Sequence, residues 1–466
     1  MRNVTDPKRR RLDHFIILML CSSISVLWGG IGYANAGLVD FRAVYWGARC
    51  LIEHHDPYSS AQMLKVYQQE DGVFPTDPVR NHIFRAGTFV GINLPTTLLL
   101  AAPLALLKWG AVDALWIALT AGLFTLAVFL VWKQARSYAP RLSLLLACLL
   151  AANTELLYMI GNTAGVVVAL SAIAAWCLLN EEQTQWGTLS LGLALAIKPH
   201  DAGLVWLYLV LLGGTNRRRA FQALAITVAL ALPAVLWVWH VAPNWASELH
   251  ANLQAGAAPG GVNAPLPSFG RDADMVIDLQ AAICLFSNRP AVYNGISYLI
   301  SGGLFLVWIV RTMFARGLRG NPWLGLAAGV APLLLVSYHR GYDAKLILLT
   351  IPACAMLWSA GGVTKWLAAV FTTTSVVFTA DVPLNIFLLL SRHPVSAMSG
   401  AWGKALSVVL LAPTPLVLLA MGVFYLWVYV KNPQPSFELT VAEHSDRAQS
   451  VPSSAQEEAI SGCGAC

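Results

Sequence analysis

The sequence predicts an all-α integral membrane protein that crosses the bilayer many times, and three observations carry that prediction. Hydrophobic residues make up 57% of the 466 positions and charged residues only 12%, against roughly 25% charged in soluble domains. Apolar runs of bilayer-spanning length recur along most of the chain. The net charge of +6 gathers at the termini and between apolar runs, which is the pattern of a topology signal rather than a nucleic-acid surface.

Lys8, Arg9, Arg10 and Arg11 place residues 1–14 on the cytoplasmic side. The apolar run Phe15–Ala34 follows without a clear small-residue cleavage site, so it reads as a signal anchor and first span. A polar loop, about residues 37–91, then lies on the outer face. It opens with Asp40–Tyr58, where Phe41, Val44, Tyr45, Ala48, Leu51 and Ile52 recur at spacings of three and four. This predicts an amphipathic helix lying along the membrane surface. Asp40 sits in its first turn, and Asp56-Pro57 stops it, because the residue before proline disfavours helix. A second amphipathic piece is expected at Ser60–Gln69 and a turn at Asp71–Pro78.

Further spans are predicted at about residues 93–107, 112–132, 142–158, 163–179, 187–213 and 220–241. After a second outer loop, about 242–292, they resume at 293–310, 323–337, 346–360, 365–380 and 404–430. The result is one polytopic domain, residues 15–430, with about 10–12 transmembrane helices. Residues 431–466, rich in Ser, Glu and Gln, are expected to form a disordered cytoplasmic tail. Arg217–Arg219 and Arg311, Arg316 and Arg319 satisfy the positive-inside rule, whereas Lys133, Arg136 and Arg141 fall on the outer side. Several segments before Gly187 are short for a crossing, which leaves half-helices, or a different number of crossings between Asn93 and Leu179, as open readings.

Cys21, Cys148, Cys177 and Cys354 fall in apolar runs and read as packing residues. Cys50 and Cys284 would face the same side, which allows a disulfide. Cys463 and Cys466 form a lone CxxC, too little for a metal site, and no residue is assigned to a metal.

Polar residues within or beside membrane segments are the functional candidates. Asp40 has two readings that are compatible with each other: a helix N-cap, or a general base that deprotonates an acceptor hydroxyl at the membrane surface. The stretch Ser337–Lys345 lies between two apolar spans and carries His339, Arg340, Tyr342, Asp343 and Lys345. Arg340 and Lys345 could hold a phosphate, one as a planar fork and one as a point charge. The alternative is a solvated interfacial turn with tyrosine anchors. Lys198-Pro199-His200-Asp201 interrupts a long apolar run. Lys198 there either pairs with Asp201 or Glu155 or sits near an anionic ligand, and the backbone freed by Pro199 is tolerated only inside protein or beside water. Asn162 lies between two short apolar segments, where an amide can also bridge helices. No P-loop, GxGxxG, HExxH or GxSxG motif is present.

Together, Asp40-Phe41 with Tyr45, Asp56-Pro57-Tyr58, Asn93-Leu94-Pro95, Gly161-Asn162, Ala196-Ile197-Lys198-Pro199 and Tyr342-Asp343 occur in an order that resembles glycosyltransferase family 87. These are the polyprenol-phosphate-mannose-dependent mannosyltransferase-like members of the polytopic C-type glycosyltransferases. The resemblance covers roughly Asp40 to Leu349. It implies an acidic catalytic residue from the first outer loop, by position Asp40, and a sugar donor on a polyprenyl monophosphate. It further implies inversion at the anomeric carbon and a multi-pass enzyme of the cell (inner) membrane with its site on the extracytoplasmic face. Membrane lipid, a lipid-linked sugar donor and a glycan or glycolipid acceptor would be its partners. Arg340, Lys345, Arg80 and Arg85 are the candidates for the donor phosphate, with no cofactor assigned and a divalent cation left open. The sequence departs from the family at His339-Arg340-Gly341, which lacks the proline common in this hairpin, and in the second outer loop with Asp272, Asp274, Asp278 and Gln280.

The rival from another class is a transporter or flippase of lipid-linked sugars, which the broken helix at Lys198 also fits. A transporter places its substrate groups near midplane, whereas this sequence concentrates polar residues in the first outer loop. A catalytically inactive scaffold is the third reading, and the retained Asp40 with the cationic hairpin argues against it.

Overall fold

The structure, a computed structural model, describes residues 7–70, 72–258, 261, 263–265, 276–287, 289–314, 321–336, 338–381 and 413–431. The N-terminal half comprises α1 (Pro7–Ala36), α2 (Val39–Ile52), α3 (Ser60–Gln69), α4 (Pro78–Thr88), α5 (Pro95–Ala105) and α6 (Trp109–Ala135). It continues with α7 (Pro140–Ala152), α8 (Glu155–Met159), α9 (Ala164–Leu179), α10 (Thr184–Ile197), α11 (Pro199–Leu212) and α12 (Gly214–Val241). Then follow α13 (Trp245–Ala257), α14 (Leu279–Ile283), α15 (Pro290–Phe314) and α16 (Pro322–Val336). A 3-10 stretch, Asp343–Thr350, runs directly into α17 (Ile351–Ala360), and α18 (Gly362–Phe378) and α19 (Pro413–Lys431) complete the described chain. The one extended pairing among the described residues is an isolated antiparallel bridge between Val276 and Arg340.

Among the described residues, six segments are long and apolar enough to cross a membrane: α6, α7 with α8, α12, α15, the 3-10 stretch with α17, and α19. Shorter apolar helices accompany them, namely His14–Leu27 within α1, and α5, α9, α11, α16 and α18. This is an all-α polytopic membrane protein. α9 is apolar all round and buried along nearly its whole length, as expected of a helix at the centre of a bundle. It packs between α6 and α10. The α10–α12 approach is close because a Cβ on Gly192 would stand 2.9 Å from the Ile226 Cβ, the small-residue packing usual between membrane helices. α12 instead exposes Phe221, Val228, Leu232, Leu236 and Trp239, the surface a helix presents to lipid.

Several expectations are revised. α2 does not lie on a surface with one face free. Trp46, Ala43, Gly47 and Cys50 are buried as well as Phe41, Val44 and Tyr45, because α3, α4 and α5 pack around it. It ends at Ile52 rather than at Asp56, since His54 takes the left-handed conformation at φ 57°. α4 follows the predicted turn as a true helix, with Asp77 as its N-cap accepting from the Arg80 N–H at 2.8 Å. The run 187–213 is two helices, broken at Lys198-Pro199, and the run 142–158 is α7 and α8 separated by Asn153-Thr154. Cys50 and Cys284 are both buried free thiols, so they form no disulfide. Asp272, Asp274, Arg316, Arg319, Ser337 and the tail with Cys463 and Cys466 lie outside the described residues.

Candidate active site

Asp40 is placed by two helix breaks that meet. The chain leaving α8 runs past the start of α2, where the Asp40 N–H donates to the Ile160 carbonyl at 3.0 Å and the Leu38 N–H to the Met159 carbonyl at 3.1 Å. Leu38, in the left-handed region at φ 53°, occupies the N-cap position and makes no side-chain cap hydrogen bond. The cap reading of Asp40 is thereby set aside. Its carboxylate instead accepts a 2.7 Å hydrogen bond from the Asn162 amide at Oδ2. Asn162 is itself oriented, because its Oδ1 accepts from the Ala164 N–H at 2.8 Å. Gly161 makes this approach possible. Its φ is +70°, and a Cβ there would stand 2.9 Å from both the Leu38 Cδ2 and the Phe41 Cβ. Phe41 stacks on Trp116 at 3.9 Å, and the Trp116 indole donates to the Gly161 carbonyl at 3.0 Å.

The second break is at Lys198, whose extended backbone (φ −150°, ψ 83°) separates α10 from α11. Pro199 has no N–H, so carbonyls at the end of α10 lack helical partners. Two threonines of α5 replace them: Thr96 donates to the Ala196 carbonyl, and Thr97 to the Ile197 carbonyl at 2.9 Å. The Lys198 ammonium reaches Asp201 Oδ2 at 3.0 Å, pairs closely with Asp343 Oδ1 and lies 5.2 Å from the centre of the Tyr342 ring. Both readings of Lys198 therefore survive in one geometry, since it pairs with Asp201 while 15% of its side chain remains exposed.

The hairpin after α16 supplies the rest. The Asp343 Oδ2 accepts from the Arg340 N–H at 2.8 Å, which ties Arg340 to Lys198 through one carboxylate. The Arg340 guanidinium donates to the Tyr338 hydroxyl and, at 3.2 Å, to the Asn263 Oδ1, which also accepts from Tyr338 at 2.7 Å. Burial opposes the Arg340 charge, but Tyr342, Tyr338 and then Asp40 outweigh it and raise its pKa. Asp40 is thus close enough to act electrostatically on Arg340. The fully buried His339 lies 3.4 Å from Asp201, and its carbonyl accepts from the Ile277 N–H at 3.0 Å, anchoring the second loop to the hairpin.

Asp40, Asn162, Lys198, His339, Arg340, Tyr342 and Asp343 are therefore joined by contacts or electrostatic coupling into one polar region. Other candidates are placed elsewhere. Lys345 is fully buried and faces away from that group, donating to Asp381 Oδ1 at 2.7 Å, the Thr379 carbonyl at 2.7 Å and the Asn153 carbonyl at 3.2 Å. It lies on the eight-residue 3-10 stretch Asp343–Thr350, which is buried along its whole length. Tyr45 is a packing residue whose hydroxyl donates to the Leu107 carbonyl at 2.8 Å. Arg80 and Arg85 are exposed on α4, and Arg85 covers the Phe74 ring at 4.3 Å. Sequence reasoning missed Asn263, which carries no motif, and Thr96 and Thr97, whose signal was their position just after Asn93-Leu94-Pro95.

A polytopic membrane protein whose polar centre lies at two helix breaks and an adjoining hairpin belongs to a restricted class. The family model for glycosyltransferase family 87 matches residues 92–338, more than half of the chain. The chain belongs to glycosyltransferase family 87 and is a membrane glycosyltransferase. The matched region includes Asn162, Lys198 and Tyr338 and stops short of Asp40, Arg340 and Asp343. No curated protein and no solved structure matches the chain.

Proposed function

We propose that this glycosyltransferase moves a hexose, mannose by family resemblance, from a polyprenyl monophosphate to a hydroxyl of an extracytoplasmic glycan or lipid, with inversion. The observation that carries this reading is the pairing of an oriented carboxylate, Asp40 held by Asn162, with a half-buried guanidinium, Arg340, within electrostatic reach of it. Asp40 takes the proton of the acceptor hydroxyl as that oxygen bonds to the anomeric carbon. The bond from the anomeric carbon to the phosphate oxygen breaks, and the electron pair stays on the phosphate. Arg340 and Lys198 stabilise the charge that develops there. Phosphate leaves without a strong general acid, so a single carboxylate suffices for a single displacement. Lys198 replaces Lys345 in the phosphate role, because Lys345 is committed to Asp381. The prenyl chain of the donor would lie among apolar, lipid-facing helices. The enzyme would reside in the cell membrane, with this site on the extracytoplasmic side.

The test is sugar transfer in membranes containing wild type or Asp40→Asn, supplied with radiolabelled polyprenyl-phosphate mannose. Asparagine keeps a similar shape and can still hydrogen-bond Asn162, but it cannot take a proton. Transfer is expected to fall by about 10²–10⁴-fold in folded Asp40→Asn. Equal transfer by the two proteins would remove Asp40 as the base. Transfer from another labelled polyprenyl-phosphate hexose but not from mannose would reassign the sugar.

A further inference from the structure

We infer that His200, Asp201 and His339 form a binding site for one divalent transition-metal ion of the zinc type. Asp201 Oδ1 lies 3.4 Å from His339 Nε2 and 3.7 Å from His200 Nε2. The three donor atoms all fall within 4.8 Å of one another. A tetrahedral ion with bonds of about 2.0–2.1 Å holds neighbouring ligand atoms ~3.4 Å apart. The Asp201–His339 separation matches that edge, and it is longer than an ordinary N–H···O bond of about 2.7–3.2 Å. Asp201 is fully buried, and its Oδ1 faces the two imidazoles while Lys198 lies at its other oxygen. A buried carboxylate oxygen directed at two imidazoles is the donor set of a metal site.

The fold explains how a site can arise from residues 138 positions apart. Pro199 begins α11, so His200 and Asp201 sit in its first turn, and the hairpin after α16 brings His339 against them, with the two imidazole rings 5.5 Å apart. The local charge permits a cation. Lys198 occupies the other Asp201 oxygen at 3.0 Å, but it is shared with Asp343, so two carboxylates face one ammonium. His200, 45% exposed, gives the site a route to solvent. Two imidazoles and one carboxylate leave a fourth tetrahedral position for an oxygen ligand. A phosphate oxygen of the donor could take that position; this use rests on the proposed function, whereas the metal site itself does not.

The test uses full-length protein without a histidine tag, carrying Cys463→Ser and Cys466→Ser so that the tail thiols cannot bind metal. After chelator treatment it is titrated with Zn²⁺ and, separately, Co²⁺. Bound metal is counted by mass spectrometry, Co²⁺ coordination is read by absorption, and thermal stability is followed with and without metal. One ion per chain, a tetrahedral Co²⁺ spectrum and a metal-dependent rise in Tm are expected. In His200→Ala, affinity should drop at least ~10-fold and the rise in Tm should shrink with it. His200 is half-exposed, so this variant keeps the fold. Absence of stoichiometric binding, or equal affinity in wild type and His200→Ala, would overturn the site. Neither readout depends on sugar transfer, so a failed site and a failed donor assignment remain distinguishable.

Discussion

Asn162 donates a 2.7 Å hydrogen bond to Asp40 across 122 residues of chain, and its own carbonyl oxygen is held by the first turn of α9. The amide therefore fixes the direction of the carboxylate from the connection between α8 and α9. Asn162→Ala removes a hydrogen bond to a charged group, about 1.5–3 kcal/mol. Transfer should fall about 10- to 100-fold, with the loss in kcat and expression unchanged. Asn162→Asp, which places a second carboxylate against Asp40, should be worse than alanine. Steady-state kinetics of the two variants check this, and an alanine variant with wild-type kcat would reduce Asn162 to a helix bridge.

Gly161 tests the same placement through the backbone. Its left-handed φ and the 2.9 Å approach to Leu38 and Phe41 mean that a methyl group must push α2 away from α8. A displacement near 1 Å at a reacting group costs about 10²-fold in rate. Gly161→Ala is expected to lose about that much transfer while remaining in the membrane fraction. Retention of full activity would show that the Asp40 position tolerates movement of α2.

Lys345 and Asp381 make a buried ion pair at 2.7 Å, and Asp381 also accepts from the Leu156 N–H at 2.9 Å. Removing one partner strands the other, which costs about 3–5 kcal/mol, whereas replacing both by apolar residues can be neutral. Lys345→Met should therefore be strongly destabilised, and Lys345→Met with Asp381→Leu should recover most of the loss. Thermal unfolding in detergent measures both. If Lys345 held the donor phosphate instead, the double variant would be stable but inactive.

Glu248, on α13, lies beside Asp56 of the first loop. The hydrogen bond to Asp56 and, after it, burial push its pKa up to about 7 from an ordinary 4.5. A raised carboxyl pKa favours the folded state while the group is protonated. The contribution is present at low pH, declines as pH rises from about 4.5 to 7, and is level above that. Tm should fall between pH 5 and pH 8, and Glu248→Gln, neutral throughout, should flatten that fall. An identical pH slope in the variant would place its origin elsewhere.

Same-side docking of the two loops also depends on Asn252, whose amide donates to the Tyr58 and Gly91 carbonyls at 3.0 Å each. Nothing in the Gly- and Pro-rich sequence around the second loop marks Asn252 for this task. The hydrogen bonds exist only because Gly91 lets the two strands of chain approach, a Cβ there lying 2.5 Å from the Pro57 carbonyl oxygen.

By itself, the sequence determined what depends on neighbours a few residues away. The 3.6-residue period located α3, and apolar length located α9, α12 and the other membrane helices, because burial in lipid or bundle needs only an unbroken apolar run. Proline chemistry located the break at Lys198, and residue type singled out Asp40, Asn162, Arg340 and Asp343. Tertiary structure decided which polar groups meet. Lys198 and Lys345 look alike in sequence, each a cation flanked by apolar residues. The backbone conformation at each site directs one ammonium to Asp201 and Asp343 and the other to Asp381. Likewise α2 shows an amphipathic period, yet it is buried on nearly all sides because α3, α4 and α5 close over it. The Lys198–Asp343 and Asp40–Asn162 pairings span 145 and 122 residues, and a local pattern carries no information about which distant break in a helix will lie beside it.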